Sequence, residues 1–185
     1  MRCDLRDARA IQSGAKQAIS HLGNLDLLVN NAGAYHTRNF DEISAEDWDE
    51  MFAVNVRGVF LMTQVCAPEL RSRNGRVINI GSLGGIRPWV THAHYCASKA
   101  ALHMLTQASA KALAPEIKVN CVAPGMIDQG ESERRSETLD HFAAKTPMQR
   151  NGSAEDVAQG VLFFAMCPDF ITGQILVVDG GLGLA

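Results

Sequence analysis

A tyrosine and a lysine, Tyr95 and Lys99, stand four residues apart in a segment of helical composition. Residues at positions i and i+4 lie on one face of a helix, so the amine can lie beneath the phenol. A free tyrosine is a poor acid at neutral pH because its pKa is near 10, but a neighbouring cation favours the phenolate and lowers that pKa. The spacing therefore predicts a tyrosine that exchanges a proton with a bound substrate.

The pair alone is weak evidence, since this spacing arises by chance in roughly 5% of chains with this tyrosine and lysine content. The alternative is a tyrosine at the edge of the core beside a lysine on a solvated helix face. Features elsewhere in the chain decide between the two. Ser82 stands thirteen residues before Tyr95, directly after an apolar run.

Three apolar runs are typical of buried strands, and each ends in a polar or glycine-containing turn. They are residues 25–29 before Asn30-Asn31-Ala32-Gly33, residues 76–80 before Gly81-Ser82, and residues 118–122 before Pro124-Gly125. Ligands of open α/β sheets bind at the carboxyl ends of the strands. We therefore expect these turns to meet Tyr95 at one crevice.

Helical patterns alternate with the apolar runs. They cover residues 45–70 after an N-cap at Ser44, residues 93–113, and the stretch from Ser153 to Met166, while residues 174–178 form a last apolar run. Strands that are apolar throughout and separated by helices favour a parallel sheet covered on both faces. The predicted fold class is α/β with a doubly wound parallel sheet, in one domain over residues 1–185. A polar stretch at about 127–150 is predicted to be a helical substrate lid.

Composition excludes several function classes. The 185 residues carry a net charge of -3 and no basic block, which excludes a nucleic-acid surface. The longest apolar run, residues 161–167, is too short to span a membrane.

Cysteine and histidine spacings favour neither a disulfide framework nor a metal site. The five cysteines are scattered without a C-x-x-C pair, so a reducing, cytoplasmic location is expected. His92 and His94 form a His-x-His pair, but no carboxylate or cysteine has matching spacing, so no metal is expected. His94, next to Tyr95, is a candidate substrate contact.

The chain resembles the short-chain dehydrogenase/reductase family over its whole length. The motifs that carry the resemblance are Asn30-Asn31-Ala32-Gly33, Asn55-Val56-Arg57-Gly58, Asn79-Ile80-Gly81-Ser82, Tyr95-Cys96-Ala97-Ser98-Lys99, Val119-Asn120-Cys121-Val122-Ala123-Pro124-Gly125 and Val178-Asp179-Gly180-Gly181. They occur in the family order and at the family spacing.

The resemblance implies an NAD(P)(H)-dependent oxidoreductase that moves hydride between nicotinamide and a carbonyl or alcohol carbon. Tyr95 would be the general acid or base, and Lys99 would lower its pKa and hydrogen-bond the nicotinamide ribose. Ser82 would hold the substrate oxygen. Asn55 would lie in a helix distortion and support a water-linked proton relay through Lys99.

The resemblance also implies residues that bind the cofactor, which would be NADP or NAD. Asp4 would hydrogen-bond the adenine amino group, and the turn at 31–33 would pack against the adenosine half. The full set is Asp4, Asn31, Ala32, Gly33, Tyr95, Lys99, Pro124, Gly125 and Ile127.

One family feature is absent from this sequence. The family opens with a strand, a glycine-rich phosphate-binding turn and a helix, but no G-x-x-x-G-x-G precedes the first apolar run. Residues 1–5 resemble the tail of the family's third strand. We therefore expect the first two strands to be missing, together with the residue that distinguishes NADP from NAD. The chain alone is expected to be poorly stable and to bind dinucleotide weakly.

The family resemblance leaves the substrate open. A 3-oxoacyl thioester is one candidate. Arg87-Pro88 and residues 113–120 resemble pteridine-reductase-like members, which would make the substrate a pterin C=N bond. A third interpretation is a catalytically silent, truncated homologue. The resemblance also implies a homotetramer, assembled through the helix at 93–113 and its neighbour.

Overall fold

The computed structural model describes residues 2–130 and 137–185, and its centre is a four-stranded parallel sheet. The strands, in their order across the sheet, are β1 (Leu27–Asn30), β2 (Arg76–Ile80), β3 (Lys118–Pro124) and β6 (Ile175–Val178). Two short strands, β4 (Ile127–Asp128) and β5 (Gly152–Ser153), form a separate parallel pair.

Helices connect the strands of the sheet. The α-helices of the described residues are α1 (Ala8–Leu22), α2 (Ala45–Phe52), α3 (Val59–Ser72), α4 (Ala93–Leu113), α5 (Glu137–Lys145) and α6 (Ala154–Met166). A π-helical turn, Ala53–Gly58, joins α2 to α3, and short 3-10 turns lie at Phe40–Glu42, Leu83–Gly85 and Leu182–Leu184.

Both faces of the sheet are covered by apolar side chains. Val77 of β2 packs in one cluster with Ala15 of α1 and Leu70 of α3. Its neighbour Ile78 points to the other face and packs against Phe164 of α6. Successive residues of a strand alternate between faces, so a sheet buried on both sides needs continuous apolar runs. The predicted doubly wound α/β sheet is confirmed.

The helix predicted over residues 45–70 is not regular. Its middle is the π-helical turn Ala53–Gly58, which leaves Asn55 only 1% exposed. Gly58 ends this turn, and a Cβ there would lie 2.9 Å from the carbonyl oxygen of Leu5. Glycine therefore allows the N-terminal segment to pack against the turn. The distortion lies where the family resemblance places one.

Serine caps fix where two helices begin. Ser44 Oγ accepts the amide of Asp47 at 3.0 Å, and the Asp47 carboxylate accepts the amide of Ser44 at 3.2 Å. Ser153 and Asp156 repeat this reciprocal pair before α6. Such a cap is worth about 1 kcal/mol of stability. Here the Ser44 cap begins α2, which packs against α4, and the Ser153 cap begins α6, which covers the sheet.

Three elements differ from the sequence predictions. Residues 8–22 form α1, for which no helix was predicted, with Asp7 accepting the amide of Arg9 as its N-cap. Residues 2–5 form no strand. Within the lid predicted at 127–150, Glu137–Lys145 is helical as expected, while residues 131–136 lie outside the described residues.

The stretch Ala45–Ser72 is long and apolar enough to cross a membrane by length and composition, with a mean hydropathy of 1.2. In the fold, α3 packs against α1, and α2 packs against α4. Met51 and Leu70 are fully buried in these contacts. The core of the domain therefore accounts for part of this apolar stretch, while Trp48 and Phe60 remain exposed on its outer face.

Candidate active site

Tyr95 and Lys99 lie one helical turn apart on α4, at the carboxyl end of β2. Lys99 Nζ donates to the carbonyl of Ile80, the last residue of β2, at 2.8 Å. The same Nζ is 5.8 Å from the centre of the Tyr95 ring. Both side chains line a cavity of about 600 Å³. The predicted shared helix face is thus present, with the amine anchored to the sheet.

Burial shifts the pKa values of this pair in opposite directions from their ordinary values. It lowers the pKa of Lys99 to about 8, because the ammonium is desolvated. Burial raises the pKa of Tyr95, and a hydrogen bond with the Ser82 side chain opposes that rise. In this arrangement desolvation of the phenol is the largest effect on the pKa of Tyr95, and the lowering by Lys99 that the resemblance implies stays a prediction.

Ser82 lies directly beside Tyr95 in the cavity. It follows β2 after Gly81, is 5% exposed, and its Oγ accepts the amide of Gly84 at 3.0 Å. A Cβ at Gly84 would lie 3.3 Å from both Ser82 Oγ and Tyr95 Cε1, so the two side chains are neighbours. A carbonyl oxygen between them can accept a hydrogen bond from both.

Asn55 ties the loop after β1 to the helix that carries Tyr95. Its Oδ1 accepts the amide of Ala34 at 2.7 Å, and its Nδ2 donates to the carbonyl of Ala34 at 3.0 Å. Nδ2 also donates to Ser98 Oγ at 3.0 Å, and Ser98 donates onward to the carbonyl of Tyr95 at 2.8 Å. Asn55 is therefore a buried connection between two walls of the cavity.

Most of the sequence-predicted site residues meet at this cavity. Those that line it are Asn31, Gly33, Ser82, Tyr95, Lys99, Pro124, Gly125 and Ile127. They come from the ends of β1, β2 and β3 and from the start of α4, as the topology of an open parallel sheet requires. Ala32 belongs to the same turn as Asn31 and Gly33 without lining the cavity.

Asp4 lies outside the cavity lining. Its carboxylate pairs with Arg6 at 2.9 Å, and Arg6 also pairs with Glu50 at 2.9 Å. The guanidinium of Arg6 and the Arg6 amide hold the pKa of Asp4 at about 2. The carboxylate is ionised and surface-exposed, and its contact with adenine stays a prediction.

His103 is a site residue that sequence reasoning missed. It lies one turn beyond Lys99 on α4 and is 6% exposed. Its Nε2 accepts the amide of Ser82 at 3.4 Å. A Cβ at Gly81 would lie 2.3 Å from that nitrogen, and one at Gly85 would lie 2.7 Å from Cε1. The sequence did contain one signal for His103, its i+4 spacing from Lys99. That spacing does not reveal that the loop at residues 81–85 packs around the imidazole ring.

His94 is not a substrate contact. It is fully buried, with neither ring nitrogen hydrogen-bonded, and it is not part of the cavity lining. Its position on α4 points it away from Tyr95 because neighbouring helix positions are about 100° apart. Among residues 2–130 and 137–185, no three histidine, cysteine or acidic side chains are grouped as metal ligands.

The residues of the cavity fit a nicotinamide ribose. Lys99 provides a cationic donor, and Pro124 and Ile127 provide an apolar wall. A Cβ at Gly33 would lie 3.5 Å from Lys99 Nζ and 3.2 Å from Asn55 Oδ1. The glycine therefore keeps open the space beside the lysine amine, where a ribose hydroxyl would be held.

Comparison with known proteins identifies the class. The family described as enoyl-(acyl carrier protein) reductase matches residues 1–183. The 3-oxoacyl-[acyl-carrier-protein] reductase of Thermotoga maritima is 37% identical over 183 residues, which cover 97% of this chain and 74% of that protein. A 2,5-dichloro-2,5-cyclohexadiene-1,4-diol dehydrogenase of Sphingobium indicum is 36% identical over 98% of this chain and 74% of that protein.

Solved structures give the same answer. A short-chain dehydrogenase/reductase from Serratia marcescens superimposes with a TM-score of 0.91 at 40% identity, covering 99% of this chain and 76% of that one. A gluconate 5-dehydrogenase from Burkholderia cenocepacia, in complex with NADP and tartrate, has a TM-score of 0.90 at 31% identity, covering 98% of this chain and 74% of that one. The fold and site thus define an NAD(P)-dependent oxidoreductase. The chain belongs to the short-chain dehydrogenase/reductase family.

Proposed function

We propose that this protein transfers hydride between the nicotinamide of NADP or NAD and the carbon of a small carbonyl or alcohol substrate. The observation that carries the proposal is the meeting of the Ser82 and Tyr95 hydroxyl groups beside the Lys99 amine in one cavity. Two hydroxyl groups and an amine suit a reaction in which an oxygen gains or loses a proton.

Each side chain has a distinct part in the proposed reaction. The bound dinucleotide supplies or accepts the hydride. Ser82 donates a hydrogen bond to the substrate oxygen and stabilises charge that develops there. Tyr95 gives its proton to that oxygen during reduction and removes it during oxidation. The raised pKa of Tyr95 keeps the phenol protonated at neutral pH, which suits the direction of reduction.

Lys99 and Asn55 support this chemistry without contacting the substrate oxygen: Lys99 binds the cofactor ribose, and Asn55 positions the loop after β1. Lys99, with a pKa of about 8, is mostly protonated at neutral pH and can donate to a ribose hydroxyl as well as to Ile80. Asn55 holds the loop at Ala34 in register with α4. A water-linked relay through Lys99 would return the proton from solvent to Tyr95.

The named activities of the relatives favour a carbonyl or alcohol over a pterin. They include a reductase of 3-oxoacyl groups and dehydrogenases of a diol and of gluconate. We therefore propose a small carbonyl or alcohol substrate, and the pterin becomes an outcome of the test.

The test combines binding and turnover on the purified chain. Calorimetric titration with NADPH and NADH measures cofactor affinity, and loss of reduced-nicotinamide absorbance measures turnover of an acetoacetyl thioester and of a dihydropterin. We expect weak cofactor binding, because no glycine-rich phosphate-binding turn precedes the first apolar run, and slow turnover of the carbonyl compound that is lost in Ser82→Ala. Turnover of dihydropterin alone would establish the pteridine-reductase-like interpretation. Absence of turnover with both substrates at saturating NADPH and NADH would contradict the proposed function and favour the silent homologue.

We also propose that copies of the chain assemble through the outer face of α3 and α4. A groove of about 660 Å³ joins this face to α2 and the π-helical turn, and its lining includes the apolar Val56, Phe60 and Leu105 beside the charged Asp49, Glu50 and Arg57. Phe60 is 45% exposed, and Met104 of α4 is 64% exposed. Exposed apolar side chains grouped on one face are typical of a subunit contact. A cytoplasmic location, which the five free cysteines suit, stays a prediction.

A further inference from the structure

A line of aromatic rings extends from Tyr95 along one side of the active-site cavity. The ring of Tyr35, in the loop after β1, meets the Tyr95 ring edge-on at 4.9 Å between centres. The Tyr35 ring also stacks on His92 at 4.9 Å between centres. Trp89 meets His92 at 5.6 Å and Phe142 at 6.1 Å. We call Tyr35, Trp89, His92 and Phe142 the aromatic wall.

Hydrogen bonds hold the aromatic wall in place between two loops. The amide of Arg38 donates to the carbonyl of Thr91 at 3.0 Å. The two ring nitrogens of His92 bond to the hydroxyl groups of Thr37 at 3.1 Å and Thr91 at 3.0 Å. Both nitrogens are therefore occupied, and the imidazole acts as a fixed spacer between Tyr35 and Trp89.

The rings of Tyr35 and Trp89 line the cavity itself. Tyr35 is 50% exposed and Trp89 is partly exposed, so each presents surface to a bound molecule. The apolar side chains of Met126 and Val157 also line the cavity. Among the described residues, Lys99 is the only lining side chain with a positive charge, and its amine is at the Tyr95 end.

We propose that the substrate of this site is an uncharged compound with a planar, unsaturated ring bearing the reacting carbonyl or hydroxyl group. The ring lies against Tyr35 and Trp89, and its oxygen points to Ser82 and Tyr95. This inference rests on the proposed function and adds the class of substrate to it.

Two physical reasons favour a planar ring over a chain. A flat π-system gains a stacking or edge contact with each aromatic neighbour, beyond what its buried area contributes. A rigid ring also loses less conformational freedom on binding than an open acyl chain. A carboxylate or phosphate near the aromatic wall would be desolvated without a described cation to pair with, which costs free energy.

Tryptophan fluorescence tests this inference directly. The chain has two tryptophans, so Trp48→Phe leaves Trp89 as the single reporter. This variant is titrated, in the presence of NADP, with 1-tetralone, which has a fused aromatic ring, and with 1-decalone, its saturated counterpart. An open-chain 3-oxo acid is the charged comparison. Calorimetry measures the same three affinities independently of the fluorescence.

We expect 1-tetralone to quench Trp89 and to bind about tenfold more tightly than 1-decalone, with the oxo acid weaker still. In the same background, Tyr35→Leu should reduce that preference to about twofold, whereas Tyr35→Phe should retain it. Phe170→Leu, at a fully exposed residue between α6 and β6, is the matched control and should change nothing. Equal affinity for the two ketones, absence of tetralone binding, or an unchanged preference in Tyr35→Leu would overturn the inference. Circular dichroism confirms that each variant is folded.

The binding measurement separates this inference from the proposed function. Preferential binding of tetralone without any hydride transfer would contradict the proposed function and leave the substrate class standing. Turnover that depends on Tyr95 but prefers 1-decalone or the oxo acid would contradict the substrate class alone. Because binding needs no turnover, the two failures are distinguishable.

Discussion

The backbone amide of Ser82 donates to Nε2 of His103, at 3.4 Å, on the side of the loop away from the cavity. The acceptor role of Nε2 assigns the ring proton to Nδ1. Gly81 and Gly85 lie against the ring, where any side chain would overlap it. The imidazole is thus enclosed by the loop that carries the substrate-binding hydroxyl, and His103 acts as a positioning residue for Ser82.

Replacement of His103 is expected to lower turnover through Ser82. We predict that His103→Leu reduces kcat about tenfold, since small displacements of a positioned group are costly. His103→Gln keeps an acceptor and should recover most of the rate.

A pH profile separates positioning from mere packing at His103. Burial and the nearby Lys99 lower the pKa of His103 below 6.5, so protonation occurs only as pH falls through that lowered value. It then places an N–H against the amide of Ser82. The pH profile of wild-type turnover should therefore fall at acid pH as His103 is protonated. The profile of His103→Gln should lack this acid fall. An identical acid limb in the wild type and in both variants would contradict the assignment.

Buried histidines should make the fold sensitive to acid. His92, His94 and His103 are each less than 10% exposed, and burial lowers the pKa of all three. As the pH falls below 6.5, the ordinary pKa of histidine, these side chains are protonated in the unfolded chain but stay neutral in the folded chain. The free energy of unfolding should therefore fall, by up to about 1.4 kcal/mol per pH unit for each histidine.

Urea unfolding between neutral and mildly acidic pH measures this slope. His94→Leu should flatten it and stabilise the protein at neutral pH, because neither ring nitrogen of His94 has a hydrogen-bond partner. His21, which is exposed at the end of α1, is the control position. An unchanged slope in His94→Leu would count against this explanation of acid sensitivity.

Asn55→Ala is expected to destabilise the fold by about 3 kcal/mol. It removes both bonds to Ala34 and leaves buried backbone groups without partners. Ser98→Ala loses a smaller part of the network and should cost about 1 kcal/mol. The midpoint of urea unfolding reports both values. A loss below 0.5 kcal/mol in Asn55→Ala, taken as about the size of an ordinary surface substitution, would contradict the proposed connection.

The outer face of α3 and α4 gives a prediction about assembly. Light scattering coupled to gel filtration should show a tetramer, and Phe60→Glu should convert it to smaller species by burying a charge in the contact. Phe170→Glu, at a fully exposed residue between α6 and β6, should not change the mass. A monomer in the wild type would refute the assembly proposed here.

Much of the architecture followed from local patterns in the sequence. The run at 76–80 forms β2 with those bounds, because Val77, Ile78 and Ile80 suit a strand covered on both faces, and the buried Asn79 is hydrogen-bonded to Thr106. The caps at Ser44 and Ser153 are likewise local features. Helix α1 was missed because its polar residues outnumber the buried ones, Ile11, Gly14 and Ala15.

The parts that sequence could not show depend on contacts between distant segments. The sign of the Tyr95 pKa shift depends on burial, which the spacing to Lys99 does not contain. The role of His103 depends on how the loop at Gly81 folds around its ring. The aromatic wall joins Tyr35 to Trp89 across two loops that are far apart in the chain.

The rate of carbonyl reduction by Tyr95→Phe tests the central claim most directly. This variant keeps the ring and its contact with Tyr35 but removes the proton that the substrate oxygen is proposed to receive. We predict that turnover falls at least about 100-fold while the affinity for NADPH is unchanged. Turnover equal to that of the wild type, in a folded Tyr95→Phe protein, would contradict the account.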